Sequence, residues 1–156
     1  MTSPSDHDQS DRALHSVAMV GVVFHGRGVL VTQRADNGRW ETPAGVLERD
    51  EKFEDCVTRE VLEETGITVR PLHITGVYKN LVHPLRPVSI AWLCEYIAGE
   101  LRTSEETRAV EWMPIARAKD VMTPAHFARI DDARTYHERG CPAVRIHNGH
   151  TVFSDS

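Results

Sequence analysis

Three glutamates carry the sharpest chemical signal in the chain. Glu60, Glu63 and Glu64 stand at i, i+3 and i+4 in the segment REVLEE. On an α-helix, at about 100° per residue, they share one face. Like charges this close repel one another and cost helix stability. No lysine is interspersed between Glu60 and Glu64 to offset them. Convergent carboxylates suit a hard divalent cation. Mg²⁺ and Mn²⁺ take oxygen ligands, and Mg²⁺ is commonly shared between protein carboxylates and substrate phosphates. The same three residues also fit the solvated face of an acidic amphipathic helix, so their surroundings decide between the two.

Those surroundings are specific. Gly45 is followed after five residues by Glu51, then after seven by Arg59-Glu60. Val61, Glu63-Glu64, Gly66 and Ile67 complete a run of 23 residues. This run resembles the Nudix hydrolase signature at every specified position. The resemblance extends over roughly residues 14–135 in element order: hairpin, signature, strands, carboxy-terminal helix.

The resemblance implies an α/β (α+β) fold, a Nudix-type α/β/α sandwich around a mixed β-sheet. It also implies metal-dependent hydrolysis of a pyrophosphate bond in a nucleoside diphosphate derivative, with water attacking phosphorus. Glu60, Glu63 and Glu64 would bind Mg²⁺ (or Mn²⁺), with the Gly45 carbonyl as a further ligand and Glu51 near the metals. Arg59 would hold the loop and orient a glutamate. Glu60 resembles the general base of some members, whereas others place the base in a later loop. In the segment SEETRAVEW, Glu106 answers to that later carboxylate, with Glu105 as the close alternative. Arg34 stands where relatives carry a phosphate-contacting arginine. A nucleotide-sensing module of the same fold, without turnover, is the alternative; such modules usually have eroded glutamates, and all are retained here.

The elements that must position these groups are legible around them. Residues 14–34 read as a hairpin, turning at His25–Gly28. A helix is expected from about Lys52 to Thr65, with Gly66 closing it and Phe53, Val57 and Val61 facing the core. Residues 69–80 are extended, with Pro71 and Gly76 as irregularities. Val88–Ile97 has the strongest strand pattern, and Val110–Met113 is a short strand after an acidic loop. Pro114 starts a helix to about Asp120. Pro124 starts a longer one to about Arg139, stopped by Gly140. Asn148-Gly149 between two alternating runs predicts a two-residue hairpin, which would extend a sheet edge or cross to a second subunit of a homodimer. The expected organisation is a disordered tail over 1–12, a Nudix domain over 13–139, and a carboxy-terminal extension with the hairpin over 140–156.

The substrate is less legible. Pro43-Ala44-Gly45 is similar to the sequence that opens this signature in ADP-ribose and sugar-nucleotide pyrophosphatases, and Pro84 falls near a position where that subgroup carries proline. The compact chain equally suits enzymes acting on nucleoside triphosphates, including oxidised ones. Tyr78 and Asn80, near a strand end, are the expected substrate contacts, while Trp92 and Phe127 are expected in the core and Trp40 remains a further aromatic for a base.

Composition sets the outer bounds. The chain has 156 residues, enough for one domain with a proper core. Its formal net charge is −5 with scattered basic residues, which argues against binding a nucleic acid polymer and for a small nucleotide substrate. Cys56, Cys94 and Cys141 have neither metal-site nor redox spacing and read as reduced thiols. No apolar run approaches membrane-spanning length, and no secretory signal opens the chain, so a cytoplasmic protein is expected.

Overall fold

The computed structural model describes residues 13–153; the tail expected over 1–12 lies outside them. Valine-rich segments supply the frame. β1 (Val17–His25) turns through Gly26-Arg27 into β2 (Gly28–Arg34), with His25 paired to Gly28. Short strands β3 (Trp40–Glu41) and β4 (Ala44–Val46) lead into helix α1 (Phe53–Thr65). Then come β5 (Ile67–Asn80), β6 (Val88–Gly99), β7 (Thr107–Pro114), helices α2 (Ile115–Val121), α3 (Pro124–Arg134) and α4 (Tyr136–Arg139), and strands β8 (Ala143–His147) and β9 (Val152–Phe153).

All strands join one mixed sheet in the order β3-β2-β1-β6-β5-β8-β9, with β4 added to β1 and β7 to β2. One edge of β1 is shared. Its end pairs with β2, and its beginning, Ala18 to Val20, pairs with Val46 to Ala44 of β4. The sheet therefore splays open where β2 leaves β1, and the chain enters the signature loop through that opening. On the other edge β1 runs parallel to β6.

Alternation along the strands builds two cores. Met19, Val23, Leu30 and Trp92 face α1 and meet Cys56, Val57 and Val61. Val22, Val29 and Val31 face the opposite side and pack with Met113, Ala118, Met122 and Ile130 from β7, α2 and α3. A sheet between two helical layers is the sandwich expected from the sequence.

Several local expectations change. Phe53 is 43% exposed, and Cys56 takes its place in the buried stripe of α1. Phe53 opens the helix, one turn before the stripe that meets the sheet. The single helix expected over 124–139 divides at Thr135, whose hydroxyl bonds back to the Asp131 carbonyl. The carboxy-terminal hairpin has a four-residue connection, since His147 pairs with Val152. Asn148 caps that loop by accepting from the His150 and Thr151 amides. β8 lies parallel to β5 of the same chain, from Gly76↔Ala143 to Asn80↔His147. The β5–β6 register shifts at Pro71 and before Gly76, where irregularities were expected.

Candidate active site

Helix α1 serves the core with one face and the site with another. Cys56, Val57 and Val61 are buried against the sheet, and Glu60, Glu63 and Glu64 emerge beside the splayed edge. Gly66 closes the helix in the left-handed conformation, φ 80°, and its amide donates to the Leu62 carbonyl. The last turn contains no basic residue; Glu63 and Glu64 sit at the negative end of the helix dipole, where carboxylates are disfavoured. Burial raises the carboxyl of Glu64 to about 8, assisted by the neighbouring carboxylates Glu60, Glu41 and Glu106 and opposed by the Ala44 amide that donates to it at 3.1 Å. Burial likewise raises Glu60. Arg59 offsets part of this repulsion at Glu60 and Glu63, while Glu64 has no ion-pair partner among the described residues.

Arg59 organises the stripe from within. Its Nε and Nη2 grip Glu51 at 2.7 and 2.9 Å, and its Nη1 reaches Glu60 at 2.6 Å and Glu63 at 3.3 Å. The bidentate pair fixes Glu51 and holds its carboxyl well below the usual carboxylate range. The loop meets the helix closely. A Cβ on Gly45 would overlap the Glu60 carboxylate, so this strand must carry glycine for the carboxylate to lie against its backbone. Among the described residues, no group of three or more His, Cys, Asp or Glu is drawn together at metal-binding spacing. The donor set still suits a hard cation. It is all oxygen, two of its carboxylates are largely shielded from water, and Gly45 leaves a cradle for one of them.

The cleft facing the stripe has a volume of about 820 Å³ and brings together most of the expected residues. Gly45, Arg59, Glu60, Glu63 and Glu64 line it together with Glu105, Glu106 and Arg34. Arg34 is tied to Asp36 at 2.7 and 2.9 Å and to Glu41 at 3.3 Å. Glu51 lies behind, on Arg59. The cleft continues past Gly45 into a second chamber of about 470 Å³, lined by Asn80, which was expected to touch substrate. Tyr78 is corrected. It is 0% exposed, and its hydroxyl donates to Asp132 at 2.9 Å, so its position on β5 faces the α3 core and not a ligand. A separate groove of about 620 Å³ runs between α2 and α3, away from the glutamates.

The second chamber also holds residues that sequence reasoning missed: Glu41, His126, Arg129 and His147. Burial pushes His126 down to about 3 and His147 down to about 4. His126 Nδ1 stands 3.9 Å from Glu41, but a ring held neutral makes no ion pair there. A signal for Arg129 existed. Ala125, Arg129, Asp132 and Ala133 recur at i, i+4, i+7 and i+8, which sets two charged residues in the buried stripe of α3.

Comparison with known proteins agrees with this geometry. Residues 14–136 match the family model of the NUDIX domain. The chain is 43% identical over 137 residues to a MutT-like protein of Streptomyces ambofaciens, covering 87% of this chain and 86% of that one. It is 29% identical over 105 residues to an ADP-ribose pyrophosphatase of Methanocaldococcus jannaschii, covering 64% and 62%. Among solved structures, an ADP-ribose pyrophosphatase of Streptococcus suis superposes with a TM-score of 0.66 at 20% identity, covering 85% of this chain and 98% of that one.

Proposed function

The chain belongs to the Nudix family of hydrolases, and from that premise we propose that it hydrolyses a pyrophosphate bond of a small nucleotide in a metal-dependent reaction. The substrate is a nucleoside diphosphate derivative, of the ADP-ribose or sugar-nucleotide type or a nucleoside triphosphate. The observation that carries this reading is the glutamate stripe of α1. Glu60, Glu63 and Glu64 line one cleft with Glu105, Glu106 and Arg34, and Glu63 and Glu64 stand against the helix dipole in a last turn without a basic residue.

Glu60, Glu63 and Glu64, with the Gly45 carbonyl, would hold Mg²⁺ or Mn²⁺, and Glu51 and Glu106 would stand near it. When bound, such a cation lowers the pKa of its water and offsets charge on the phosphoryl oxygens. The protein's own groups do the rest. Arg59 fixes the directions of Glu51 and Glu60. Arg34, which lines the cleft, offers its guanidinium to a phosphate. Glu60 or Glu106 takes the proton of the attacking water, as a carboxylate within reach of the nucleophile can. The net charge of −5 supports a small nucleotide over a nucleic acid polymer.

The test is a panel of ADP-ribose, NADH, sugar nucleotides, dinucleoside polyphosphates and canonical and oxidised triphosphates, assayed with Mg²⁺, with Mn²⁺ and with chelator. Turnover of at least one compound, abolished by chelator, is expected. No metal-dependent turnover across the panel would refute the proposal.

A further inference from the structure

Arg129 is a charged side chain with an unusual position. It is 5% exposed and lies on α3 with its guanidinium 4.8 Å above the Tyr78 ring. Its Nη1 donates to the Ala125 carbonyl at 2.7 Å, and among the described residues it forms no other hydrogen bond and no ion pair. Buried guanidinium groups are normally paired. The neighbouring carboxylates are already engaged: Asp132 takes Arg145 at 2.6 and 3.1 Å together with the Tyr78 hydroxyl, and Glu41 takes Arg34. Arg129, with donors unspent, is one of the residues lining the second chamber, which at about 470 Å³ has the size of a small-molecule site.

We propose that Arg129 is a specificity-determining residue that reads the nucleobase of the substrate, and that the base it selects is a 6-oxopurine. This rests on the nucleotide reading above. The guanidinium lies over the Tyr78 ring, and its fork of N–H donors suits two adjacent acceptors on a flat group. The rest of the wall carries both signs, Arg34 and Arg39 beside Asp36 and Glu41, and the acceptor it adds is Glu41. Glu41 lines the same chamber, and among the described residues its Oε2 accepts no hydrogen bond, standing 3.9 Å from His126. Its carboxyl group repels an anion and accepts from an N–H. The Asn80 Oδ1 is consumed by the Val82 and His83 amides at 3.0 and 3.1 Å, which leaves its amide nitrogen as a further donor. Guanine offers O6 and N7 side by side as acceptors and carries N–H donors on its adjoining edge, and arginine pairs with O6 and N7 through both arms. Adenine sets its N6 donor against the same fork.

Equilibrium binding measured by calorimetry in Mg²⁺, with GMP, AMP, 7-deaza-GMP and ribose 5-phosphate, tests this. GMP is expected to bind about tenfold or more tighter than AMP, and loss of N7 is expected to cost about tenfold. Arg129→Gln, shown to be folded by circular dichroism, should erase both differences; if that variant does not fold, the wild-type comparison alone decides. Equal binding of GMP and AMP, no cost for the 7-deaza compound, or no binding of GMP overturns the proposal. Ribose 5-phosphate binding as tightly as GMP also overturns it and marks the chamber as an anion subsite. The two readings fail separately. Hydrolysis confined to adenine or pyrimidine nucleotides sinks base selection alone, whereas a GMP preference without any pyrophosphate turnover sinks the hydrolase reading alone.

Discussion

Glu63 and Glu64 stand at the helix end that disfavours carboxylates, Glu60 is largely buried, and the backbone around them is shaped to allow it. Gly45 is the clearest case, because a methyl group there would occupy the space of the Glu60 carboxylate. That carboxylate ends a flexible side chain and can swing aside. Gly45→Ala should therefore leave thermal stability nearly unchanged while lowering kcat more than about tenfold, since small displacements of positioned groups are costly to catalysis; melting curves and initial rates read the two effects apart. Arg59 works through its fork. Lysine keeps the charge but cannot grip Glu51 with two nitrogens. Arg59→Lys is expected to lower kcat by about tenfold to hundredfold, as loss of a group that orients ligands does, with a smaller change in KM. The glutamates were legible in the sequence because their spacing and flanking residues are local facts. Arg129 was harder to see. Only the packing of α3 on β5 shows that its guanidinium is buried, spent on one carbonyl and set over the Tyr78 ring. Tyr78 was misjudged for the same reason, since the sequence places it near a strand end and only the sheet decides which face it takes.

At the scale of elements, α1 and α3 have opposite tasks. α1 brings negative charge to the cleft, and α3 brings a buried cation. The Gly66 closure ends α1 with the chain in the left-handed region, and a Cβ there would run into the Glu100 backbone. Gly66→Ala should cost about 1–2 kcal/mol in urea denaturation. Asp132 ties α3 to both β5 and β8 through Tyr78 and Arg145. Asp132→Ala would leave the Tyr78 hydroxyl buried and unpartnered, with an expected loss of about 2–4 kcal/mol by the same measurement. Most elements could be read from periodicity and from Gly and Pro signals. The break at Thr135 could not, because it depends on a hydroxyl turning back to the Asp131 carbonyl. The Asn148-Gly149 pair did mark a hairpin. Its loop is longer than the pair suggests, because Asn148 spends its side chain on capping amides further along.

The described molecule is a sheet splayed at one edge of β1, with an acidic half-cleft and a chamber lined by His126 and His147 on either side of Gly45. The sandwich followed from the family signature, but strand order did not, since pairing across β1 joins segments far apart in sequence. The histidines give the molecule a pH dependence. Burial lowers His126 to about 3 from the ordinary histidine value of about 6.5, so between those values the unfolded chain binds a proton that the folded one refuses. Stability is thus unaffected above pH 6.5 and falls as pH drops below it, by about 1 kcal/mol per unit for this one group. His147 acts in the same direction. Urea midpoints at pH 7 and pH 5 should show the loss, and His126→Gln should reduce it. The central claim remains that the α1 carboxylates run metal-dependent cleavage of a pyrophosphate bond. Its most direct measurement is kcat in saturating Mg²⁺ for the wild type beside Glu64→Gln, on the best compound of the nucleotide panel, with matching circular dichroism spectra. A loss of about hundredfold or more is predicted, in line with removal of a single charge-stabilising group; turnover retained within a fewfold of the wild type would contradict the account.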